Sequence, residues 1–338
     1  MSGPDRFGVF LPSFVWENDG PERARGIAGF AAEVESLGFD SIFITDHLLA
    51  AQQFYAVSFL EPVSTLSFVA SITTRIRLGT SVMVLPIREP VILAKQLATL
   101  QFLSNGRVVL GAGIGWYPPE YKATGVRKSE RGTRTDEILD IIVPLLEGES
   151  VSYAGKHYSI KDVEIEPRFA WRPPVWIGGG SQLADSESPE LPRFAEPVKA
   201  RILRSEGWIP RPTCPPEDIA RDWEELQQYL QDHGRDPATL AVAHENFVHV
   251  VLTTDPRKAR SEQHEAFLRV MSEARGPDYL EKVYLFGTPD EIITSLQERV
   301  DAGVQRFMLH TLTPDPGQLE NWISEIIPHV RFPADQAQ

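Results

Sequence analysis

The chain has 338 residues, 42% hydrophobic and 24% charged, and its formal net charge of −14 argues against nucleic acid as the main partner. No apolar run approaches the ~20 residues of a membrane span, and a single cysteine, Cys214, excludes an internal disulfide framework and a cysteine metal cluster. The N-terminus carries no basic segment followed by a long apolar one, so we expect a cytoplasmic protein with no membrane association.

The N-terminal part of the chain alternates predicted strands and helices. Arg6 to Leu11 and Ser41 to Thr45 are apolar strands, and a helix with one apolar face runs between them from Pro21 to Leu37. Asp46 and His47 follow the second strand directly. In a parallel barrel, polar residues just beyond the C-terminal end of a strand lie at the active face.

The segment from Ile76 to Trp116 is predicted as strand, loop, helix, turn and strand, followed by a glycine-rich loop. Pro90 can start the helix, because its missing N–H is one that the first helical turn leaves unpaired. The second strand opens into Gly111-Ala112-Gly113-Ile114-Gly115, where a cofactor could lie. A dinucleotide fingerprint needs a helix directly after the glycines, and Pro118-Pro119 disfavours a long one.

The second half continues the alternation with two insertions. A hairpin is predicted over Val151 to Ile165, inside an insertion near 150–170, and the acidic, proline-broken stretch from Leu183 to Pro197 delays the next helix to Val198. Between them, a strand ends in Gly178-Gly179-Gly180-Ser181, whose successive N–H groups are able to converge on a phosphate. The remaining predicted elements are the strands Gly207 to Ile209, Leu240 to Leu252 and Arg306 to Leu309, and the helices Pro216 to His233, Pro256 to Glu273, Pro289 to Ala302 and Leu319 to Val330.

Eight strand candidates alternate mostly with helices. This pattern favours a single α/β domain, a (β/α)8 TIM barrel with insertions, over an open doubly wound sheet. Arg131 and Glu137, near the start of the helix that begins close to Thr133, are predicted to form a salt bridge. His244 with Glu245 suggests a metal, but spacing supplies no third ligand, so no metal site is predicted.

Several segments together resemble the bacterial-luciferase-like flavin and deazaflavin oxidoreductases, in the branch described as coenzyme F420-dependent. The resemblance rests on Phe43 to His47, Arg77 to Val82 with Leu85-Pro86, Pro90 to Arg107, Gly111 to Trp116, Glu130 to Glu137, Pro174 to Gly179, Glu206 to Trp208 and Gly287 to Gly303. These segments span nearly the whole chain. The resemblance implies a TIM barrel, usually a homodimer, that holds a flavin-type ring at the C-terminal ends of the strands.

The resemblance also implies roles for individual residues. Ser81-Val82 matches a non-prolyl cis peptide behind the ring, and Asp46 and His47 match a pair that, in sugar-phosphate dehydrogenases of this family, places the histidine over the hydride-bearing carbon. Those dehydrogenases have a glutamate where this chain has Trp116 and a tryptophan where it has Ala51, which argues against that activity. The predicted cofactor-binding residues are Ser81, Val82, Gly113, Gly178, Gly179, Gly180 and Ser181.

These implications predict an oxidoreductase that uses coenzyme F420 to move hydride to or from a small organic substrate. The alternative cofactor is FMN, which would make the protein an oxygen-using monooxygenase with a separate flavin reductase. A flavin or F420 reductase is the candidate protein partner. A third hypothesis is that the barrel is a non-catalytic binding protein. Lys199, Arg201 and Arg204 are candidates for a basic groove that accepts the acidic tail of F420.

His47 is the predicted acid or base, since an unperturbed imidazole titrates near pH ~6.5. Asp46 is grouped with it at the catalytic site, more as an orienter of the loop or of His47 than as a catalyst. Trp116 and His310 are candidates for the substrate pocket, with core packing as the other interpretation of both.

Overall fold

The structure, a computed structural model, describes residues 3–15, 19–181, 194–272 and 276–333. Its centre is a closed barrel of eight parallel strands. The barrel strands are β1 (Phe7–Phe10), β2 (Ser41–Ile44), β3 (Arg77–Thr80), β4 (Val108–Gly113), β5 (Val175–Gly178), β6 (Gly207–Ile209), β7 (Ala241–Val248) and β8 (Arg306–Thr311). Each strand pairs with the next along the chain, and β8 closes the ring on β1. The predicted (β/α)8 TIM barrel is confirmed.

Helices cover the outside of the barrel. They are α1 (Glu22–Ser36), α2 (Pro62–Ala70), α3 (Pro90–Leu103), α4 (Pro118–Ala123), α5 (Arg131–Leu146), α6 (Glu196–Leu203), α7 (Pro216–Asp232), α8 (Pro256–Leu268), α9 (Pro277–Val283), α10 (Pro289–Asp301) and α11 (Gly317–Asn321). Seven of these begin at a proline, the first-turn position that the sequence pattern assigned to it. Thr288 and Glu291 add a capping box at the start of α10.

The strands are apolar on both faces because each face meets a different core. In β2, Phe43 points into a small cluster inside the barrel, while Ile42 and Ile44 join the larger cluster between barrel and helices. The inner cluster consists of Phe10, Phe43, Val109, Trp176, Ile209, Ala243 and Met308. This double burial explains the continuous apolar runs of the strands.

Several predicted boundaries differ from the structure. The fourth strand continues through the glycines to Gly113, and the seventh ends at Val248 instead of Leu252. The predicted C-terminal helix over Leu319 to Val330 is regular only as far as Asn321. A π-helical turn (Trp322–Ile326) and a 3-10 turn (Ile327–His329) follow, because Pro328 cannot supply the N–H that a regular helix needs there.

The two predicted insertions have different outcomes. The hairpin is present as the antiparallel strands Val151–Ala154 and Ser159–Val163. Of the second stretch, residues 183–193 lie outside the described residues. The helix predicted to begin at Val198 begins at Glu196. No helix within the described ranges is both long and apolar enough to span a membrane.

Candidate active site

A cavity of about 530 Å³ opens where the barrel strands end. It lies at the C-terminal face, where barrel enzymes place their active sites. Its walls are formed by residues 45–47, Tyr55, Ser81, Val82, Val84, 113–116, Glu120, Arg131, 178–180, Val198, Arg201, 209–212 and Glu245. The predicted residues His47, Val82, Trp116 and Gly178 therefore meet at one cavity.

His47 is held by a buried glutamate that the sequence analysis did not select. Its Nδ1 lies 3.1 Å from Oε1 of Glu120, and both side chains are almost fully buried. The same oxygen accepts the backbone N–H groups of Leu48 at 2.8 Å and Leu49 at 3.2 Å. Because a carboxylate oxygen only accepts, Nδ1 carries the hydrogen and Nε2 is the nitrogen left for a ligand.

Aromatic side chains surround the imidazole of His47. The ring centroids of Tyr55, Phe59 and Trp116 lie 5.4, 5.3 and 5.5 Å from that of His47. Trp116 is 44% exposed and lines the cavity, so it belongs to the pocket and not to the core. A hydrogen bond from the Ala56 N–H to the Val270 carbonyl holds the loop that carries Tyr55 in place. These contacts make one wall of the cavity apolar and well packed.

Val82 lies in a notch between two glycines of neighbouring strands. The Ser81–Val82 peptide bond is cis, as the family resemblance implies. A Cβ atom on Gly113 would collide with Val82 Cγ2, and one on Gly178 would lie 2.8 Å from Val82 Cγ1. Packed carbon atoms prefer separations of about 3.5–4.0 Å, so only glycine leaves room at both positions. We call Val82, Gly113 and Gly178 the Val82 shelf.

The other glycines of the run at the end of β4 are needed for the same steric reason. A Cβ on Gly111 would overlap the carbonyl oxygen of Thr80, and one on Gly115 would lie 2.6 Å from Val84 Cγ1. Thr80 also donates its hydroxyl hydrogen to the Gly111 carbonyl at 2.8 Å. The alternating glycines thus allow the segment after β3 to approach β4 closely.

The predicted phosphate loop is partly engaged by the protein itself. Gly179 N–H donates to the Ile209 carbonyl at 3.0 Å. Ser181 donates its N–H to Asp222 at 2.7 Å and its hydroxyl hydrogen to the same carboxylate at 2.5 Å. Ser181 is buried behind the loop, while 178–180 line the cavity. The glycine backbone, and not the Ser181 side chain, faces the space where a phosphate would lie.

The cavity floor contains a second buried carboxylate, Glu245. It accepts a hydrogen bond from the Ser81 hydroxyl at 2.7 Å, and His310 Nε2 lies 2.8 Å from its other oxygen. The His310 ring is stacked between Phe10 and Phe247, and burial lowers its pKa. His310 therefore reaches the cavity only through Glu245, and its predicted place in the pocket wall is corrected to a core position.

Comparison with known proteins identifies the family. A family model described as luciferase-like monooxygenase matches residues 5–187, more than half of the chain. The chain belongs to the luciferase-like monooxygenase family. Proteins similar to this luciferase-like chain include dehydrogenases and monooxygenases, so it is an oxidoreductase.

Curated relatives of both enzyme kinds are similar to this luciferase-like protein. An F420-dependent glucose-6-phosphate dehydrogenase of Amycolatopsis mediterranei is 25% identical, covering 91% of this chain and 95% of its own. A 4-hydroxyprotoasukamycin monooxygenase of Streptomyces nodosus subsp. asukaensis is 29% identical, covering 68% of this chain and 60% of its own.

Solved structures share the barrel. An F420-dependent secondary alcohol dehydrogenase with an F420–acetone adduct superposes with a TM-score of 0.77 at 18% identity, covering 98% of this chain and 100% of that one. The FMN-bound oxygenating constituent of 3,6-diketocamphane monooxygenase from Pseudomonas putida gives 0.71 at 20% identity, with the same coverage. At these identities the likeness concerns the fold alone.

Asp46 has a different task in this luciferase-like site from that of His47. Its oxygens accept hydrogen bonds from Arg88 at 2.7 Å and from Val84 N–H at 2.8 Å. Burial raises the pKa of the Asp46 carboxyl, and Arg88 counters that effect. Asp46 was predicted to orient either a loop or His47; Glu120 and not Asp46 holds the imidazole, and the contacts of Asp46 are to loop residues. Asp46 instead fixes the loop that follows the Val82 shelf.

The predicted Arg131–Glu137 salt bridge is also wrong. Glu137 accepts the N–H groups of Lys156, His157 and Tyr158 at 2.8–3.1 Å, and so caps the turn of the hairpin. Arg131 lines the cavity instead.

The three cations considered for a basic groove all have acidic partners. Lys199 lies 2.8 Å from Glu225, Arg201 2.6 Å from Asp136 and Arg204 2.8 Å from Asp140. Their charges are therefore already balanced, and an open basic groove is not formed by this group.

The sequence analysis missed Glu120 and Arg211, and it considered Glu245 only as a metal ligand beside His244. Glu120 and Arg211 each carried a signal, since they follow β4 and β6 at the same end of the barrel as His47. The neighbouring sequence does not show whether a carboxylate in a short helix faces the cavity or the solvent.

Proposed function

We propose that the protein is an F420-dependent oxidoreductase that transfers hydride between the deazaflavin and a small organic substrate. The observation that supports this best is one cavity shared by His47 and the Val82 shelf. The imidazole offers Nε2 to a ligand, and the shelf offers an apolar wall backed by two glycines. This arrangement suits a planar ring with a proton-transferring group near it.

The residues present fit a flavin-type cofactor. The cavity volume lies within the ~300–1,000 Å³ that is usual for small-molecule sites. The ring would lie against Val82, with Gly113 and Gly178 behind the valine. The phosphate would lie at the backbone of 178–180, toward Arg131, a cation with no acidic partner among the described residues.

The chain would then supply placement and proton transfer. Bound F420 supplies the carrier that gives or takes hydride. Through Nε2, His47 would donate a proton to the substrate oxygen or accept one from it. That oxygen is bonded to the carbon that gains or loses the hydride. Glu120 fixes the tautomer and direction of that imidazole. Tyr55, Phe59 and Trp116 exclude water from the same side.

Relatives support F420 as the cofactor over nearly the whole chain. The F420-dependent glucose-6-phosphate dehydrogenase of Microbacterium testaceum, for example, is 27% identical over 98% of this chain. FMN with oxygen is the second candidate, supported by the monooxygenase relative. A separate flavin reductase would be needed only in the FMN case. We also expect a homodimer, which light scattering would test.

Titration of the purified protein with F420 and FMN, each oxidised and reduced, tests the proposal. Micromolar binding of F420 alone supports hydride transfer by deazaflavin. Binding of FMN alone would instead support an FMN-dependent monooxygenase. Binding of neither cofactor would favour the hypothesis of a non-catalytic barrel.

Replacing His47 with alanine tests the proton-transfer role. We expect turnover to fall by ~10²-fold or more, with the dissociation constant of the cofactor nearly unchanged. The matched control is Phe102→Ala on α3, an exposed side chain away from the cavity. Turnover of the His47 variant close to that of the wild type would remove His47 from the mechanism.

A further inference from the structure

The three carboxylates at the cavity all accept hydrogen bonds from other protein groups. Asp46 is paired with Arg88, Glu120 accepts from His47 and two backbone N–H groups, and Glu245 accepts from Ser81 and His310. Among the described residues, none of these acids lies within ion-pair distance of the Arg211 guanidinium.

Arg211 is a cavity cation with no such partner. It lines the cavity two residues after β6. Its Nε and Nη2 atoms are buried and have no hydrogen-bond acceptor within the described residues. It also has no carboxylate within ion-pair distance in that part of the chain. Arg211 is half-buried, but guanidinium nitrogens shut off from water without an acceptor are costly, so an acceptor from outside the protein would stabilise them.

The ionisable neighbours of Arg211 do not offset its charge. Burial raises the pKa of the Cys214 thiol to about 12, so this thiol is neutral near pH 7. Burial lowers the pKa of His244 to about 3, so His244 is neutral as well, and its Nε2 lies 3.3 Å from the Arg211 carbonyl. Arg211, like Arg131, therefore keeps a positive charge on the cavity wall with no carboxylate within ion-pair distance among the described residues.

The backbone that carries Arg211 is fixed in place. Two prolines, Pro210 and Pro212, flank it. Its carbonyl accepts the N–H of Cys214 at 2.9 Å, and the Pro212 carbonyl accepts Asn246 Nδ2 at 3.3 Å. A guanidinium on a rigid segment is preorganised for the planar, two-pronged recognition of an oxyanion.

The position of Arg211 separates it from the proposed phosphate end of the cofactor. The proposed phosphate end is served by Arg131, at the start of α5, and by the glycine backbone that follows β5. Arg211 follows β6, which is four strands away from β2 and so lies across the eight-stranded barrel from His47. A molecule that contacts both would cross the mouth of the barrel over the Val82 shelf.

We propose that Arg211 binds the oxyanion group, a carboxylate or a phosphate monoester, of the organic substrate. The inference rests on the proposed function and extends it to the substrate class. The substrate is an acid whose reacting carbon lies near His47 and whose apolar part packs against Trp116 and Tyr55.

The test uses benzoate and phenyl phosphate as oxyanion probes and benzyl alcohol as the uncharged probe. Each is titrated calorimetrically into cofactor-loaded and cofactor-free protein, for the wild type, Arg211→Gln and Arg211→Lys. Arg25→Gln is the control, since Arg25 is exposed on α1 and its replacement changes the net charge equally.

We expect Arg211→Gln to weaken the binding of at least one oxyanion probe tenfold or more, with Arg211→Lys in between. Benzyl alcohol binding and cofactor affinity should change less than twofold. The cofactor-free Arg211→Gln protein should melt at the same temperature as the wild type or higher, because two buried guanidinium nitrogens without an acceptor have been removed.

Other outcomes would overturn the inference. Binding of neither oxyanion to the wild type, or equal binding to Arg211→Gln, removes the site. Weaker cofactor binding in Arg211→Gln would assign Arg211 to the cofactor phosphate, and a lower melting temperature would show that its charge is compensated. If neither F420 nor FMN binds, the proposed function fails, while the cofactor-free titrations still decide whether Arg211 binds an oxyanion.

Discussion

Replacing Gly178 with alanine tests whether the Val82 shelf positions the cofactor. The new Cβ would lie 2.8 Å from Cγ1 and 3.6 Å from Cγ2 of Val82. Since packed carbons prefer about 3.5–4.0 Å, the valine would have to retreat by about 1 Å. On the β4 side, Val82 already fills the space beside Gly113, because its Cβ lies 3.2 Å from the position that a Cβ on that glycine would take. The free direction for Val82 is into the cavity.

The expected cost follows from this crowding. Forcing a methyl group into a packed site costs about 1–3 kcal/mol. Since 1.4 kcal/mol corresponds to a factor of ten, the whole cost would weaken cofactor binding about five- to 150-fold. We expect a value near tenfold, because part of the cost lowers the free energy of unfolding of the protein without cofactor.

Fluorescence titration with the cofactor, and urea unfolding without it, measure the two parts of this cost. Val82→Ala in the Gly178→Ala background removes the colliding methyl groups and should restore most of the affinity. Gly29→Ala is the control, because Gly29 is exposed on α1 with no atom within 4 Å of the added Cβ. Wild-type affinity and stability in Gly178→Ala, or no recovery in the double variant, would refute the crowding argument.

Two further predictions concern groups buried near the site. Glu120→Gln keeps the side-chain shape but removes a charge-assisted hydrogen bond worth about 1.5–3 kcal/mol. We therefore expect kcat to fall about 10- to 100-fold while the cofactor affinity stays unchanged. An unchanged kcat would contradict the role of Glu120 in positioning His47. Burial lowers the pKa of His244 from 6.5 to about 3, so between these values the unfolded chain binds a proton that the folded chain does not. Stability that is fully present above pH 6.5 should be lost as the pH falls, by up to about 1.4 kcal/mol per pH unit from this group. Urea unfolding from pH 7 to 5 should show a shallower loss in His244→Gln, and an identical slope would contradict the pKa.

The sequence predicted the barrel because barrel elements are encoded locally. Apolar runs such as Val108–Leu110 form strands buried on both faces, and prolines such as Pro90 mark helix starts. These signals depend on residues a few positions apart. The same logic misplaced the C-terminal helix, where the π-helical turn and Pro328 interrupt a periodic apolar pattern.

The residues at the strand ends could also be found from the sequence, but their partners could not. His47 and Val82 were selected, and both line the cavity. The partner of His47 is Glu120, 73 positions away, and Glu137 caps a hairpin instead of pairing with Arg131 in its own helix. Pairing between distant side chains depends on how helices and loops pack, which no local pattern records.

The sequence by itself therefore determined the order of the elements, the face that carries the site and several of its residues. The tertiary structure decided which charges are paired, why the glycines are needed beside Val82, and that two guanidinium nitrogens of Arg211 are buried without an acceptor among the described residues. The physical reason is that hydrogen bonding, burial and steric clearance act between atoms brought together by the closed barrel, whereas strand and helix formation depend mainly on neighbours along the chain.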